Sequence, residues 1–191
     1  VMADVEEGLD RISKMVKDLK FVSHRVMDDE LEEYDLNQGI QNTIVVAKNE
    51  IKYFAEVKEV LGDIPIISAI GGQINQVLLN LIINSAHAIK EKNPEEIGFI
   101  NIRTYNDKYN VYCEIEDTGC GISEENIDKL FIPFFTTKPA GLGTGLGLPI
   151  CYDIVVNNHG GNITVESKRG IGTKFTISLP ILPIKKDNTE Y

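Results

Sequence analysis

The segment Gly71–Lys90, GGQINQVLLNLIINSAHAIK, decides the fold class, because it combines an apolar face and an amide-bearing face at helical spacing. Amide side chains one turn apart in an otherwise apolar helix are costly unless they have partners. An amide oxygen suits Mg²⁺ that already carries phosphate oxygens, and the simpler alternative is hydrogen bonding to a neighbouring loop. The inward residues are Ile74, Leu78, Leu81, Ile82 and Ile89, and the polar ones are Gln76, Asn80, Asn84 and His87.

The sequence on both sides of this helix predicts a two-layer α+β domain. Asn37 or Asp35 can cap a helix over about 38–50, and Pro149 suits the first turn of another over about 147–158. Because strands and helices are segregated along the chain, we expect a mixed, mostly antiparallel sheet with helices on one face. The predicted strands cover residues 52–60, Ile64–Ile67, 98–105, 110–117, 162–168 and 173–180.

Residues 4–31 predict one long α-helix in front of this domain. Val5, Ile12, Leu19 and Val26 form a seven-residue repeat, and charged residues fill the other faces. Such a helix is expected to pair with other helices, and the alternative is a surface helix packed on the domain behind it. The polar segment 183–191 is expected to be a loose tail.

The composition excludes some classes of function. With 191 residues and a net charge of −10, the chain repels phosphate backbones, so nucleic-acid binding is not expected. A single nucleotide is still allowed, because backbone amides and a metal ion can shield it locally. Three cysteines without a paired framework favour a reducing, cytoplasmic compartment, and no apolar run has the length that spans a bilayer. A membrane anchor elsewhere in a parent protein is compatible with this sequence.

The segment Asp117-Thr-Gly-Cys-Gly-Ile122 follows a predicted strand. A carboxylate at a strand end can accept a hydrogen bond from an exocyclic amine, and glycines allow backbone to approach a flat ligand. A plain Asp-Gly turn is the commoner meaning of such a sequence.

Two further segments flank a turn-rich stretch. Phe131-Ile-Pro-Phe-Phe-Thr-Thr-Lys138 is an aromatic cluster that can anchor a loop in the core or serve as the hinge of a lid. Gly141-Leu-Gly-Thr-Gly-Leu-Gly-Leu148 feeds a predicted helix N-terminus, where exposed amides can hold phosphates. Alone, each is weak, and the second does not match the phosphate-binding loop pattern that ends in Gly-Lys-Ser/Thr.

In combination and order, these segments resemble the N, G1, F and G2 boxes of the histidine-kinase ATP-binding domain, a Bergerat fold shared with gyrase, Hsp90 and MutL. The matching patterns are Asn80-x-x-x-Asn84, Asp117-x-Gly119-x-Gly121, Phe131-x-x-Phe134-Phe135 and Gly143-x-Gly145-x-Gly147, with Gly170-x-Gly172-Thr173-x-Phe175 similar to a later Gly-Thr segment. The likeness covers residues 35–180. It implies a catalytic domain over 34–182, and residues 1–33 are similar to the second helix of the dimerisation and phosphotransfer hairpin.

The resemblance also implies roles for individual residues. Asp117 would bond the adenine amine with Thr173 in support, Asn84 would hold Mg²⁺, and Asn80 would reach the phosphates or the metal shell as a catalytic residue. His87 stands where many relatives carry Lys or Arg, and Lys138, in a lid over 136–146, would be a catalytic residue that supplies the substitute cation. The remaining ATP contacts would be Gly119, Gly121, Ile122, Phe135, Thr136, Gly143, Thr144, Gly145, Leu146, Gly147 and Leu148.

The implied reaction transfers the γ-phosphoryl group of ATP to a histidine on the first hairpin helix, for relay to a response regulator. His24 lacks the acidic and proline-containing context of an acceptor, so we interpret it, like His159, as an exposed surface histidine. The implied partners are a response-regulator receiver domain and a second copy of the parent protein, bound through the hairpin.

Two alternatives stay open at this level. An ATP-hydrolysing clamp of the gyrase or Hsp90 type places a general-base Glu one turn before the metal-binding Asn, where this chain has Asn80, so hydrolysis is expected to be slow. A non-catalytic dimerisation or docking module would have lost nucleotide binding, although all the glycines and both asparagines are present.

Overall fold

A computed structural model describes residues 30–138 and 143–182 of the chain. The long helix predicted over residues 4–31 falls almost entirely outside these residues, as do His24, the centre of the lid and the predicted tail at 183–191. Within the described ranges, no helix has the length and apolar character required to cross a membrane.

The described chain forms seven strands, four α-helices and one π-helix. In chain order these are β1 (Glu32–Tyr34), α1 (Leu36–Ile51), β2 (Ala55–Leu61), β3 (Ile67–Ala69), α2 (Gly71–Lys92), β4 (Gly98–Asn106), β5 (Asn110–Asp117), α3 (Glu124–Ile127), α4 (Gly147–Tyr152), the π-helix Asp153–Asn158, β6 (Asn162–Lys168) and β7 (Gly172–Pro180).

Five strands make one mixed sheet in the order β2-β4-β5-β7-β6. The β2–β4 pair is parallel and every other pair in this sheet is antiparallel. Strands β1 and β3 pair separately as a short antiparallel ribbon. The predicted mixed, mostly antiparallel sheet is therefore confirmed.

One face of the sheet is buried under the helices and the other is open. Ile102, Ile115 and Phe175 are register neighbours on the buried face. The next residues along two of these strands, Glu114 and Lys174, lie on the open face, as the twofold alternation of strand side chains requires. Helix α2 lies centrally over the buried face, with Val77, Leu78, Leu81 and Ile82 fully buried. The predicted two-layer α+β arrangement is confirmed.

Several element boundaries differ from the sequence prediction. Helix α1 runs to Ile51 with Asp35 as its N-cap, so the strand predicted from residue 52 begins at Ala55. The short strand is Ile67–Ala69 instead of Ile64–Ile67. The sequence does not predict strand β1, and the expected boundary between residues 33 and 34 falls inside it. Its pairing with β3 is a long-range contact that local periodicity does not encode, and the Tyr34 hydroxyl adds a 2.7 Å hydrogen bond to Asn75 Oδ1.

The interpretation of His159 as an exposed histidine is wrong, because its side chain is only 7% exposed. Its Nε2 accepts a hydrogen bond from the Ile70 amide at 3.0 Å, so Nδ1 carries the proton and donates to the Ile154 carbonyl at 2.8 Å. The ring therefore joins the start of α2 to the π-helix, and it satisfies one amide at a helix N-terminus that lacks a side-chain cap.

We expect Leu81→Ala to lower the free energy of unfolding by about 2–5 kcal/mol, because it leaves a cavity in the middle of the fully buried face of α2. Urea denaturation of the chain measures this change. Val45→Ala is the control: its side chain on α1 is 73% exposed, so the expected change is within about 0.5 kcal/mol. Equal effects of the two substitutions would contradict the arrangement of the core.

Candidate functional site

A cavity of about 950 Å³ opens between helix α2, the end of strand β5 and the two segments that flank the lid. It brings together residues that are up to about 90 positions apart in the chain, from Asn80 and Asn84 to Asp117, Lys138 and Thr173. Every predicted site residue lines this cavity except Gly119 and Leu146. The Leu146 side chain is buried in the hydrophobic core, whereas Gly119 acts through its amide on Asp117.

Asp117 lines the cavity and is only 4% exposed. Its Oδ1 accepts hydrogen bonds from the Gly119 amide at 2.8 Å and from the Thr173 amide at 3.3 Å. Both amides bond the same oxygen, so the carboxylate keeps capacity to accept a further donor from a ligand. The Thr173 hydroxyl is engaged with Ser167 Oγ at 2.9 Å.

Burial raises the pKa of the Asp117 carboxyl above its ordinary value, and the charge of Glu116 adds to the increase. Hydrogen bonding from Gly119, Ser85 and Thr173 acts in the opposite direction without cancelling the burial. Without a ligand, the site therefore holds a carboxylate that is poorly solvated and that gains from any hydrogen-bond donor placed beside it.

The glycines next to Asp117 make room for other parts of the chain. Gly121 has φ +68°, and a Cβ on it would overlap the Lys168 carbonyl oxygen. A Cβ on Gly172 would overlap the Asp117 carbonyl oxygen. The β6–β7 turn can therefore lie directly on this segment, where the Gly170 amide donates to the Cys120 carbonyl at 2.6 Å. The sequence predicts that the glycines after Asp117 let backbone approach a ligand, but at Gly121 the closest contact is with the protein's own backbone, at Lys168.

On another part of the cavity lining, a lysine lies close to two polar residues of helix α2. Lys138 Nζ lies 3.0 Å from His87 Nδ1 and 3.5 Å from Asn84 Oδ1. Because an ammonium group can only donate, Nδ1 of His87 is the acceptor and this imidazole nitrogen carries no proton. Asn80 Nδ2 lies 3.4 Å from the carbonyl of Gly147 and so joins α2 to the start of α4.

The aromatic segment before the lid both anchors it and forms its base. Phe131 packs on Tyr152 with ring centroids 5.4 Å apart, and Phe135 lines the cavity. Phe134 is 69% exposed and has φ +67°, an uncommon backbone conformation for a residue with a side chain. Its amide donates to the Gly145 carbonyl at 2.9 Å, which brings the two ends of the lid together. These contacts support the anchoring of the loop, and the role of a lid hinge stays a prediction.

Some cavity residues could not be found by sequence reasoning. Arg169 comes from the β6–β7 turn, which no local pattern connects to the site. Ser85 immediately follows Asn84, yet nothing in its spacing distinguishes it from a helix residue in the core. Within residues 30–138 and 143–182, no group of three or more His, Cys, Asp or Glu side chains could hold a metal ion.

Comparison with known proteins gives a consistent result. Residues 70–183 match the family described as histidine kinase-, DNA gyrase B-, and HSP90-like ATPase. The chain is 33% identical over 189 residues to the sensor histidine kinase ZraS of Escherichia coli (strain K12), which covers 98% of this chain and 38% of ZraS. It is 35% identical to the histidine-protein kinase AtoS of the same organism, of which it spans 28%.

Solved structures agree with the sequence relatives. The catalytic domain of histidine kinase ThkA superposes with a TM-score of 0.69 at 34% identity, covering 81% of this chain and 99% of that domain. A structure of ThkA in complex with the response regulator protein TrrA superposes with a TM-score of 0.75 at 31% identity, covering 95% of this chain and 51% of that one.

We expect Asp117→Asn to stabilise the ligand-free domain at neutral pH. A raised pKa means that the folded state binds the proton more tightly than the unfolded state, so the carboxyl favours folding below its ordinary pKa. This contribution is lost as the pH rises through the raised value, and a neutral amide in place of the carboxyl is expected to remove that loss. Urea denaturation at pH 7.5 and pH 4 should give a stabilisation that shrinks on acidification.

Asp107→Asn is the matched control with the opposite sign. Hydrogen bonds from the Tyr109 amide, the Tyr112 hydroxyl and the Asn110 amide lower the pKa of this exposed carboxyl. Its contribution is present above the ordinary pKa and is lost as the pH falls, so the substitution should destabilise the domain at pH 7.5. A destabilised Asp117→Asn variant at pH 7.5 would show that burial does not dominate at Asp117.

Proposed function

The chain belongs to the histidine kinase-, DNA gyrase B- and HSP90-like ATPase family as the ATP-binding catalytic domain of a sensor histidine kinase, and we propose that its cavity binds Mg-ATP for transfer of the γ-phosphoryl group to a histidine of the parent protein. One observation carries this assignment to the site: the buried carboxylate of Asp117 and the amide of Asn84 line the same cavity. The chain spans 38% of ZraS and 28% of AtoS, so the parent's acceptor and partners belong to the proposal.

In this proposal the base of ATP binds beside Asp117. Asp117 accepts from the exocyclic amine, since its carboxylate is buried and already oriented by the amides of Gly119 and Thr173. Such an acceptor favours adenine over guanine, which presents a carbonyl oxygen at the corresponding position. Apolar residues that also line the cavity, Leu79, Ile83, Ile122, Leu130, Phe135 and Phe175, suit the faces of a purine.

The triphosphate then extends toward Asn80, Asn84 and Lys138. A fit to Mg²⁺ is supported by Asn84 Oδ1, which already lies 3.5 Å from a cationic group, the ammonium of Lys138. With no carboxylate cluster among the described residues, the protein would offer one amide oxygen, and phosphates and water would complete the shell. When bound, Mg²⁺ supplies charge neutralisation between the phosphates.

The chemical step is an in-line displacement. A nitrogen of the acceptor imidazole forms a bond to the γ-phosphorus while the bond from that phosphorus to the bridging oxygen breaks, and ADP leaves with the electron pair. The cavity residues position the triphosphate and offset its charge, so that no protein nucleophile within the cavity is needed. Asn80 stands where a hydrolysing clamp has a general base and has no basic group to activate water. Slow hydrolysis is therefore part of the proposal.

The parent protein is proposed to act as a homodimer through its helical hairpin and to pass the phosphoryl group to a response-regulator receiver domain. The structure of ThkA with TrrA supports a partner of this class. A cytoplasmic location is proposed because Cys113, Cys120 and Cys151 are free thiols, as expected in a reducing compartment. Whether the parent also has a membrane anchor does not affect the chemistry of this domain.

A labelling experiment tests the reaction class. The chain is mixed with ATP radiolabelled in its γ-phosphoryl group and with the histidine-bearing hairpin of the parent protein. We expect acid-labile, base-stable label on the hairpin, with Asn84→Ala lowering the transfer rate about a hundredfold. Gln76→Ala is the control, because this amide lies on the same helix outside the cavity. Rapid ATP hydrolysis without labelled hairpin would overturn the kinase assignment in favour of a hydrolysing clamp.

A second experiment tests whether Lys138 supplies the positive charge that many family members carry on helix α2, at the position of His87. Lys138→Ala is expected to slow phosphoryl transfer about a hundredfold, because the charge on the γ-phosphoryl group loses its partner. His87→Lys combined with Lys138→Ala should restore much of that rate, since Lys138 Nζ already lies 3.0 Å from the His87 ring. Lys129→Ala is the control. A Lys138→Ala variant with unchanged transfer and ATP affinity would remove this residue from the site.

A further inference from the structure

Ser167, near the end of β6, makes three polar contacts although its hydroxyl has a single proton. Its Oγ accepts a hydrogen bond from the Ile122 amide at 2.8 Å. The same oxygen lies 3.0 Å from the Gly172 carbonyl oxygen and 2.9 Å from Thr173 Oγ1. Because a hydroxyl donates one hydrogen bond and accepts at most two, these contacts constrain one another.

One arrangement of protons satisfies all three contacts. The Gly172 carbonyl can only accept, so the Ser167 proton points to it. Ser167 then has no proton left for Thr173, and the bond between the two hydroxyls runs from Thr173 Oγ1 to Ser167 Oγ. In the reverse arrangement, the lone pairs of Ser167 would face those of the Gly172 oxygen at 3.0 Å with no proton between them. The three distances therefore determine the direction of the Thr173 proton.

This direction decides what the Thr173 hydroxyl offers to the cavity. Thr173 lines the cavity and is only 4% exposed. With its proton on Ser167, the hydroxyl has only lone pairs for a ligand or for a water beside it. The amides of Gly119 and Thr173 are already bonded to Asp117 Oδ1. Asp117 and the Thr173 hydroxyl therefore both act as acceptors toward a bound base.

We propose that Ser167 is a positioning residue for base specificity, because it takes the Thr173 proton and so keeps the Thr173 hydroxyl an acceptor. The inference rests on the proposed ATP site and deepens it. Adenine has an exocyclic amine, which acceptors favour either directly or through a water. A base with a carbonyl oxygen in place of that amine requires a donor, and Thr173 has none to give.

The action of Ser167 on the base is indirect. In the described part of the chain, the cavity is lined by Ile122 and Thr173, and Ser167 lies behind them without lining it. Ser167 also has a structural role, since Ser167→Ala leaves the Ile122 amide and the Gly172 carbonyl without this partner. A test of specificity must therefore separate the direction of the Thr173 proton from a general loss of stability.

A ratio of two affinities makes this separation, because unfolded chain binds neither nucleotide. The probes are ATP and inosine triphosphate, whose base has a carbonyl oxygen in place of the amine. Both affinities are measured by titration, with Mg²⁺ present, for the wild-type chain and for Ser167→Ala. Thr164→Ala is the control: Thr164 is an exposed hydroxyl residue of the same strand, and its register neighbour Thr176 pairs with Glu114 on the open face of the sheet.

We expect the wild-type chain to prefer ATP to inosine triphosphate, and Ser167→Ala to reduce this preference about tenfold. The reason is that the Thr173 proton is released and can be donated to the base carbonyl. Thr164→Ala should keep the wild-type preference. When Ser167→Ala is added to Thr173→Val, the preference of Thr173→Val should not change, because no hydroxyl is present to be released.

Three results would overturn the inference. The first is a wild-type chain that binds both nucleotides equally, and the second is an equal loss of both affinities in Ser167→Ala, which a purely structural role predicts. The third is a preference that Ser167→Ala still reduces in the Thr173→Val background. A wild-type chain that binds neither nucleotide is a different outcome, since it would overturn the proposed function and this inference together.

Discussion

The structure depends on a buried carboxylate at the end of the central strand β5. Asp117 is held by two backbone amides, and its burial is unfavourable because hydration is lost and only partly replaced. The neighbouring backbone is shaped by this arrangement. The Asp117–Ile122 segment and the β6–β7 turn come together without side chains between them, which requires glycine at positions 121 and 172. In the proposed ATP complex, a base amine bound to Asp117 would offset part of this unfavourable burial.

The phosphate side of the proposed site follows a different principle. There the cation is carried by the segment that leads into the lid, and the helix supplies a neutral imidazole and an amide oxygen as its neighbours. In the proposed site, the positive charge beside the triphosphate therefore comes from the segment before the predicted lid rather than from the helix. The hydrogen bond between the Phe134 amide and the Gly145 carbonyl joins residues that flank the centre of this predicted lid.

Much of this could be predicted from the sequence, since helix spacing alone places Asn80, Asn84 and His87 on one face. A predicted strand followed by glycines likewise places Asp117 at the end of a strand. Features that depend on long-range pairing were not accessible. The β1–β3 ribbon joins residues more than 30 positions apart, and Arg169 reaches the cavity from a turn with no chemical pattern of its own. The buried state of His159 depends on the amide of Ile70, 89 residues away. Local periodicity has no information about such partners.

The two ends of the site share helix α2, and this has a consequence for how the domain can respond to its nucleotide. The hydrogen bond from the Ile70 amide to the His159 ring joins the residue before α2 to the end of the π-helix. The centre of α2 is held on the sheet by its buried side chains Val77, Leu78, Leu81 and Ile82. A helix held in this way cannot shift independently at Asn84 and Ser85, because close-packed interiors do not deform continuously. In the proposed ATP complex, helix α2 would therefore be the fixed element against which the base and the triphosphate are positioned, and any adjustment would come from the segments that flank the predicted lid.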